Sequence, residues 1–430
     1  MIPKRPINAD VPEPEETAPE ETPVQNEPKR PGTPKALIAL VALALVFIVA
    51  AIVWGSGGDD SSETPAPAPT PTTGDSQPET APSQSAEALG YPSFATNNTT
   101  RIGGSDPAAN AAGAALAVFP STSAEQRPAA VTVVGEEDWA GAIAAAVLMA
   151  EPVRAPILFS GPDEVPAATG EALAALDPQG SAATGEASLF AVGTVAYPGE
   201  AAPIDSGDPA TTAAQIATLR DRLAGKPPRH IVVASSSQPD FAMPAAAWAA
   251  RSGDPILYSE EEKLPAVTVE ALKAHPQVPV YVLGPASAIS SKAVREIDQI
   301  SKQVKRVSGE DPVANAIALA RYRDGNFGWN INDPGHGFVL ARSDSPANAA
   351  AAAPLSGSGT WGPLLLTDDA ATLPADLRNF FLDVKPGYTT DPTRAFYNRV
   401  WVIGDQGAIS VDQQAEVSEL AELAKIGGGE

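Results

Sequence analysis

The sequence predicts an α/β protein in which three tandem doubly wound modules with parallel sheets follow one N-terminal transmembrane helix and disordered tails. The first observation is a block of alternating helices and strands that recurs three times between residues 91 and 430. The second is an apolar run, residues 36–54, without one charged or polar side chain. The third is the proline content, 44 of 430 residues, which is about twice the usual share and indicates disordered segments beside the folded part.

The N-terminal segment, residues 1–35, is rich in Pro, Glu and Thr and has no aromatic side chain. A segment of this composition cannot bury enough apolar surface to offset the entropy lost on ordering. We therefore expect a disordered, solvated tail. A regulatory or partner-binding tail is the alternative.

The apolar run at 36–54 predicts a transmembrane helix, because a helix of this length spans about 28 Å and the hydrocarbon core of a bilayer is roughly 30 Å thick. Basic residues precede the run and acidic residues follow it: Lys29, Arg30 and Lys35, then Asp59, Asp60 and Glu63. The positive-inside rule therefore places the N-terminus in the cytoplasm and the rest outside the cell. A cleaved signal peptide is the competing interpretation, and it fits less well because the region before the run is long and acidic.

Residues 55–90 consist mainly of Gly, Ser, Thr, Pro and Asp, including the run PAPAPTPTT at 65–73. This composition is typical of a semi-extended linker. We interpret the segment as a stalk that holds the folded part away from the membrane.

Each repeat opens with a glycine and an Asp-Pro pair, and the three aspartates lie 102 and 103 positions apart. The pairs are Asp106-Pro107, Asp208-Pro209 and Asp311-Pro312. An alanine-rich stretch follows each pair. Aspartate caps the free amides of a helix and proline suits the first helical position, so each pair predicts a helix start.

Three β-branched or aliphatic runs follow within each repeat, separated by further helical stretches. The first repeat has VTVVG at 131–135, PILFS at 156–160 and a run that ends at Gly193. Uniformly hydrophobic strands that alternate with helices predict a parallel sheet covered on both faces, with right-handed crossovers. We divide the chain into repeats at 91–200, 201–303 and 304–430.

Composition excludes several classes of function. Acidic residues outnumber basic ones by 52 to 28, which argues against a nucleic-acid partner. The chain has no cysteine, so thiolate chemistry and Cys-based metal sites are excluded. It has three histidines, His230, His275 and His336, so a His-rich metal centre is nearly excluded. Neither the acidic cluster at 136–138 nor the serines at 235–237 has a recognisable catalytic partner. We predict no catalytic residues, no cofactor and no metal.

The opening segments RIGGSD at 101–106 and RVSGED at 306–311, with the closing segment VWVIGDQGAIS at 400–410, resemble the cell wall binding repeat 2 family of Gram-positive envelopes. The resemblance runs from residue 101 to near the C-terminus. It implies three Rossmann-like modules in a pseudo-threefold arrangement. It also implies non-covalent binding of an anionic cell wall polymer.

Candidate ligand contacts are the opening arginines and the periodic aspartates: Arg101, Arg306, Asp106, Asp208 and Asp311. The alternatives are structural ion pairs for the arginines and helix caps for the aspartates. The loops at the carboxyl ends of the first strands, 135–138, 235–237 and 342–344, are the default ligand region of doubly wound sheets.

Together these observations predict a single-pass protein of the cell membrane, with a cytoplasmic N-terminus and a C-terminal domain in the cell wall zone. Its predicted function is non-catalytic binding of a wall polymer. The second repeat lacks the opening arginine, which favours the alternative of a repeat scaffold for protein partners in the envelope. A cell wall hydrolase is the remaining alternative, and no segment is left over for a catalytic domain.

Overall fold

The computed structural model describes residues 92–205, 207–358 and 362–426. The predicted tail at 1–35, transmembrane helix at 36–54 and stalk at 55–90 lie outside these residues. Within the described ranges no helix is both long and apolar enough to cross a bilayer.

Strands and helices alternate along the chain. The strands are β1 (Pro92–Ala95), β2 (Thr99–Ile102), β3 (Val131–Gly135), β4 (Ile157–Ser160), β5 (Leu189–Val192), β6 (Ala202–Ile204), β7 (Ile231–Ser235), β8 (Ile256–Ser259), β9 (Val280–Leu283), β10 (Val304–Val307), β11 (Gly337–Arg342), β12 (Leu364–Thr367), β13 (Gly387–Tyr388), β14 (Arg399–Ile403) and β15 (Ala424–Lys425). The helices are α1 (Pro107–Val118), α2 (Trp139–Ala145), α3 (Ala167–Leu176), α4 (Pro209–Ala224), α5 (Pro239–Ser252), α6 (Ala266–Ala274), α7 (Ser291–Asp298), α8 (Pro312–Arg321), α9 (Pro346–Ala351), α10 (Ala353–Gly357), α11 (Ala375–Asp383) and α12 (Val411–Ala421).

Three parallel sheets share one strand order, which confirms the predicted α/β class with several parallel-sheet units. The orders are β4-β3-β5-β6 in sheet 1, β8-β7-β9-β10 in sheet 2 and β12-β11-β14-β2 in sheet 3. Sheet 3 is extended at β2 by the antiparallel strand β1. The central strands are buried on both faces, as their uniformly apolar sequences predict.

The fourth strand of each sheet comes from a different sequence repeat. Strand β6 opens the second repeat but pairs with β5, and β10 opens the third repeat but pairs with β9. Strand β2, which opens the first repeat, pairs with β14 near the C-terminus. The sheets therefore run across the boundaries 91–200, 201–303 and 304–430 drawn on the sequence, because an edge strand pairs where the tertiary arrangement brings it.

Three small-residue helical segments meet in the interior of the molecule. They are α2 with the following 3₁₀ turn at Ala146–Met149, α5, and the α9–α10 pair, and each contacts the other two. Their alanines are almost completely buried, so the backbones approach closely. The repeat-opening helices pack on this group in order: α1 on α9, α4 on α2 and α8 on α5.

Candidate functional site

Arg101 lies on β2 and is 0% exposed. Its Nε donates to Oε1 of Gln414 at 2.8 Å, and its Nη1 donates to the carbonyl oxygens of Gly404 and Asp405 at 2.8 and 2.7 Å. Its Nη2 donates to the carbonyl oxygen of Ile409 at 2.7 Å. Burial lowers the pKa of Arg101 to about 10, and Asp405 opposes this shift. The side chain therefore holds the loop between β14 and α12.

Arg306 on β10 holds the corresponding loop of sheet 2, between β9 and α7. Its Nη1 donates to the carbonyl oxygen of Gly284 at 2.5 Å and its Nη2 to that of Ile289 at 2.6 Å. Strand register makes Pro203 the matching residue of β6 in sheet 1. These bonds go to backbone carbonyls and not to a neighbouring acid, so they differ from the predicted ion pairs. Contact of either arginine with a polymer stays a prediction.

The periodic aspartates cap the three opening helices and are exposed. Oδ1 of Asp106 accepts from the backbone N of Ala109 at 2.8 Å, and Oδ1 of Asp311 accepts from that of Ala314 at 2.8 Å. Oδ1 of Asp208 accepts from two backbone amides at its own helix start. The structure thus gives all three a capping role, and a ligand contact through them stays a prediction.

A second set of polar residues lies four positions after each capping aspartate, and the sequence analysis did not identify it. These residues are Asn110, Thr212 and Asn315, and all are buried. Oγ1 of Thr212 accepts from the backbone N of Gly207 at 3.1 Å, and Oδ1 of Asn315 accepts from that of Gly309 at 3.3 Å. In these two repeats they tie the opening glycine to the helix, and the constant spacing was the signal that could have identified them.

A cavity of about 780 Å³ lies where the three interior helical segments end. Its lining includes Met149, Ser252 and Gly357, the last residues of those segments. It also includes His230 and His336, which directly precede β7 and β11. The cavity is therefore at the amino ends of the strands. The loops predicted as the ligand region lie at the other edge of the sheets, at the carboxyl ends of the strands. The interior helices begin near that edge and run back across the sheets, so their C-terminal ends lie at the amino ends of the strands.

Basic side chains dominate the charge of this cavity. Two histidines and two acidic residues, Glu151 and Asp254, line it. Its lining also includes five Lys or Arg residues: Arg154, Arg220, Lys226, Arg229 and Arg251. The whole chain, by contrast, carries a formal charge of −24. Burial lowers the pKa of Arg251.

The imidazole of His230 is held in place by a buried carboxylate. Oδ2 of Asp254 accepts from Nδ1 of His230 at 2.9 Å and from Nε1 of Trp248 at 3.0 Å. Oδ1 accepts from the backbone N of His230 at 3.0 Å. This network joins the end of α5 to the starts of β7 and β8, and it fixes the orientation of the ring at the cavity wall.

Arg220 lies beside the C-terminal end of α5. Its Nη1 bonds Oδ1 of Asp221 at 2.8 Å and the carbonyl oxygen of Lys226 at 2.9 Å. Gly253 ends the helix in the left-handed conformation, at φ +74°, and lies beside this guanidinium. A cation at a helix C-terminus is also favoured by the helix dipole.

Aromatic rings form part of the same wall. Trp248 and Trp329 both line the cavity, and their ring centroids lie 5.6 Å apart in an edge-to-face arrangement. Beneath them Phe327, from the segment between α8 and β11, stacks on Tyr281 of β9 at 3.5 Å. The wall thus combines cations with flat apolar surface.

The opposite edge of the sheets is acidic where Glu136 and Asp106 approach each other. Burial raises the pKa of Glu136, and the charges of Asp106 and Glu137 raise it further. In the described ranges no group of three or more His, Asp or Glu could hold a metal ion. An anionic ligand is therefore better matched to the cavity than to these loops.

The second and third repeats match the family model of cell wall binding domain 2 (CWB2). The matched residues are 204–294 and 306–414. This finding confirms the resemblance over these two segments.

Two solved structures are similar to this chain, with a TM-score of 0.59 for Cwp6 and 0.58 for Cwp8, both from Clostridium difficile. Each is 19% identical in sequence and is matched over 76% of this chain. The chain covers 48% of Cwp6 and 52% of Cwp8, about half the length of each. At this identity the likeness shows a shared fold. No curated protein matches the chain.

Proposed function

We propose that this chain is a cell wall binding protein of the envelope, and that it holds an anionic wall polymer in the basic cavity at the ends of the interior helices. The observation that carries the proposal is the clustering of five cationic side chains at one cavity of a strongly acidic molecule. The CWB2 matches support the same function.

The chemistry of the cavity suits phosphate or carboxylate groups on a sugar chain. Guanidinium groups bind such anions with two parallel hydrogen bonds, and each charge-assisted bond contributes about 1.5–3 kcal/mol. Trp329, which is partly exposed and lines the cavity, adds a flat face on which a sugar ring can pack. Long-range attraction is absent because the net charge repels a polyanion, so the affinity comes from contacts inside the cavity.

We also propose that the three modules surround a pseudo-threefold axis that passes through the interior helices. The cyclic packing of α1 on α9, α4 on α2 and α8 on α5 supports this arrangement. A cavity formed by all three helix ends would then lie on the axis. It would bind one polymer segment per chain, unlike separate sites at each module junction.

We further propose that residues 36–54 form a membrane anchor, that the N-terminus is cytoplasmic and that residues 55–90 form a stalk. These parts would hold the repeats in the wall zone. We propose that binding proceeds without bond cleavage and that the protein acts as a non-catalytic link between membrane and wall.

Co-sedimentation of the full chain, solubilised in detergent, with purified wall sacculi tests the proposal. The informative variant carries Lys226→Glu and Arg229→Glu, because both residues are exposed and line the cavity. The matched control is Lys302→Glu, which is exposed and does not line it. We expect the double variant to lose sedimentation with intact sacculi while the control keeps it. Binding that persists after removal of the secondary polymers would contradict the polymer assignment.

A further inference from the structure

Two neighbouring aromatic side chains are exposed on the segment that leads into β14. Phe396 is 70% exposed and Tyr397 is 51% exposed. An aromatic ring removes about 150–250 Å² of surface from water when it is buried, so this pair leaves a large contact area open. We call Phe396 and Tyr397 the aromatic platform. An exposed apolar patch of this kind indicates a surface that contacts another molecule.

The aromatic platform lies beside the basic cavity, because β11 and β14 begin in register. Gly337 is opposite Arg399, and the backbone N of Arg399 donates to the carbonyl oxygen of His336 at 3.0 Å. His336 lines the cavity. Gly335 lies directly against Phe396, because a Cβ at this glycine would come within 2.8 Å of Cβ and 3.1 Å of Cγ of Phe396. The platform therefore begins one residue away from the cavity wall.

Hydrogen bonds hold the aromatic platform in place. Oδ1 of the buried Asn398 accepts from the backbone N of Gly335 at 2.9 Å and from that of His336 at 3.1 Å. Its Nδ2 donates to a carbonyl oxygen just after α11 at 2.8 Å. The hydroxyl of Tyr397 donates to the carbonyl oxygen of Pro392 at 3.0 Å. A surface that is ordered before binding loses little conformational entropy when a ligand packs on it.

The surroundings of the platform are polar. Segment 389–397 has no other large apolar side chain, and it carries one acid and one base. The exposed polar residues beside the rings are Thr389, Thr390, Asp391, Thr393 and Arg394. A sugar ring has an apolar C–H face and a border of hydroxyl groups, so it matches two flat rings within a polar, nearly neutral border. A bilayer surface would instead require a continuous apolar face, as an interfacial helix presents.

We propose that the aromatic platform is a second subsite for the wall polymer, and that it binds an uncharged sugar unit of the chain where the polymer leaves the basic cavity. This inference rests on the proposed function of the cavity. The cavity binds the anionic groups and the platform binds the neutral unit next to them. Two contacts on one ligand raise the affinity, because the first contact makes the second intramolecular. The affinity should therefore depend on the length of the polymer segment.

Fragments of the secondary polymers, released from purified sacculi by mild acid and separated by size, test the proposal. Their binding to the full chain in detergent is measured by titration calorimetry. We expect the parent to bind long fragments about ten-fold more tightly than the shortest fragments that it binds at all. The double variant Phe396→Ala and Tyr397→Ala should bind the short fragments as the parent does and lose the preference for long ones. Both residues are exposed, so its circular dichroism should match the parent.

Three further variants separate the platform from the cavity. Phe396→Tyr keeps the ring and should keep the preference for long fragments. Val267→Ala is the matched control, because it shortens an exposed apolar side chain on α6 that does not line the cavity. The cavity variant Lys226→Glu with Arg229→Glu should lose binding of both fragment lengths.

Four outcomes would overturn the proposal. If the double platform variant prefers long fragments as strongly as the parent does, the platform is not a subsite, whereas the cavity assignment stands. If the variant binds both lengths equally weakly, the rings only support the loop at His336. If the parent binds no fragment, the platform and the cavity assignment both fail. The fourth outcome is lipid contact: a polarity-sensitive dye attached through Arg394→Cys, in a chain with no other cysteine, would report an apolar environment in proteoliposomes without polymer.

Discussion

The imidazole of His230 and the carboxylate of Asp254 form a buried pair, with Nδ1 2.9 Å from Oδ2 and Asp254 1% exposed. The same carboxylate accepts from Trp248 and from the backbone of His230. One carboxylate, that of Asp254, therefore accepts all three of these hydrogen bonds. The pair therefore determines both the stability of this corner of sheet 2 and the position of a ring at the cavity wall.

Replacement of Asp254 by Ala should lower the free energy of unfolding by about 3–5 kcal/mol, because it leaves buried donors unpaired. Asp254→Asn should cost less, because its amide oxygen still accepts one or two of the three bonds. Urea denaturation followed by circular dichroism measures both. Asp298→Asn, on the exposed side of α7, is the control and should stay within about 0.5 kcal/mol of the parent. Equal stability of all three variants would contradict the network.

The opening glycines offer a second test of local geometry. A Cβ at Gly309 would lie 2.2 Å from backbone atoms of Ala314 and Asn315, which cannot move aside without breaking α8. A Cβ at Gly207 would lie 3.3 Å from the side chain of Thr211. Gly309→Ala should therefore destabilise the protein by about 1–3 kcal/mol or more. Gly207→Ala should have a clearly smaller effect in the same thermal unfolding assay, and the reverse order would contradict this account.

Local signals in the sequence predicted many of the helix and strand bounds. Helices α1, α4 and α8 begin at the prolines of the three Asp-Pro pairs, and β3 matches the predicted strand at 131–135. The third strand of the first repeat was predicted to end at Gly193, and β5 ends one residue earlier, at Val192. The glycines that follow β5, β9 and β14 all have a positive φ. These features depend on neighbouring residues only, so a single sequence contains them.

The strand exchange and the cavity could not be predicted in the same way. Strand β2 pairs with β14, about 300 positions later, because the first and last repeats lie side by side. The cavity needs the helix ends at Met149, Ser252 and Gly357, which no motif connects. Even Arg101, which the sequence analysis singled out, is buried by a loop from the far end of the chain. Such relationships arise from tertiary packing, and only the assembled sheets reveal them.

Glu136 makes stability depend on pH. Burial, Asp106 and Glu137 raise its pKa above the ordinary value of 4.5, so the folded state binds a proton more readily than the unfolded state. Stability should therefore fall as the pH rises from the ordinary pKa through the raised pKa. Glu136→Gln should remove this component and increase stability at neutral pH relative to the parent. Denaturant unfolding of the parent, Glu136→Gln and the control Glu164→Gln across this range measures it, and identical pH profiles for all three would contradict the prediction.

The last prediction separates the two roles open to the opening arginines. Arg101 has no exposed surface and bonds three carbonyl oxygens and an amide oxygen at 2.8 Å or less, whereas Arg306 bonds two carbonyl oxygens. Arg101→Ala should therefore lower the free energy of unfolding by about 3–5 kcal/mol and Arg306→Ala by about 1–3 kcal/mol. Arg323→Ala, an exposed arginine after α8, is the control. Wall co-sedimentation of each folded variant completes the test: a loss of binding without a loss of stability would identify the arginines as polymer contacts, whereas a loss of stability with binding retained by the folded fraction would identify them as supports of the α12 and α7 loops.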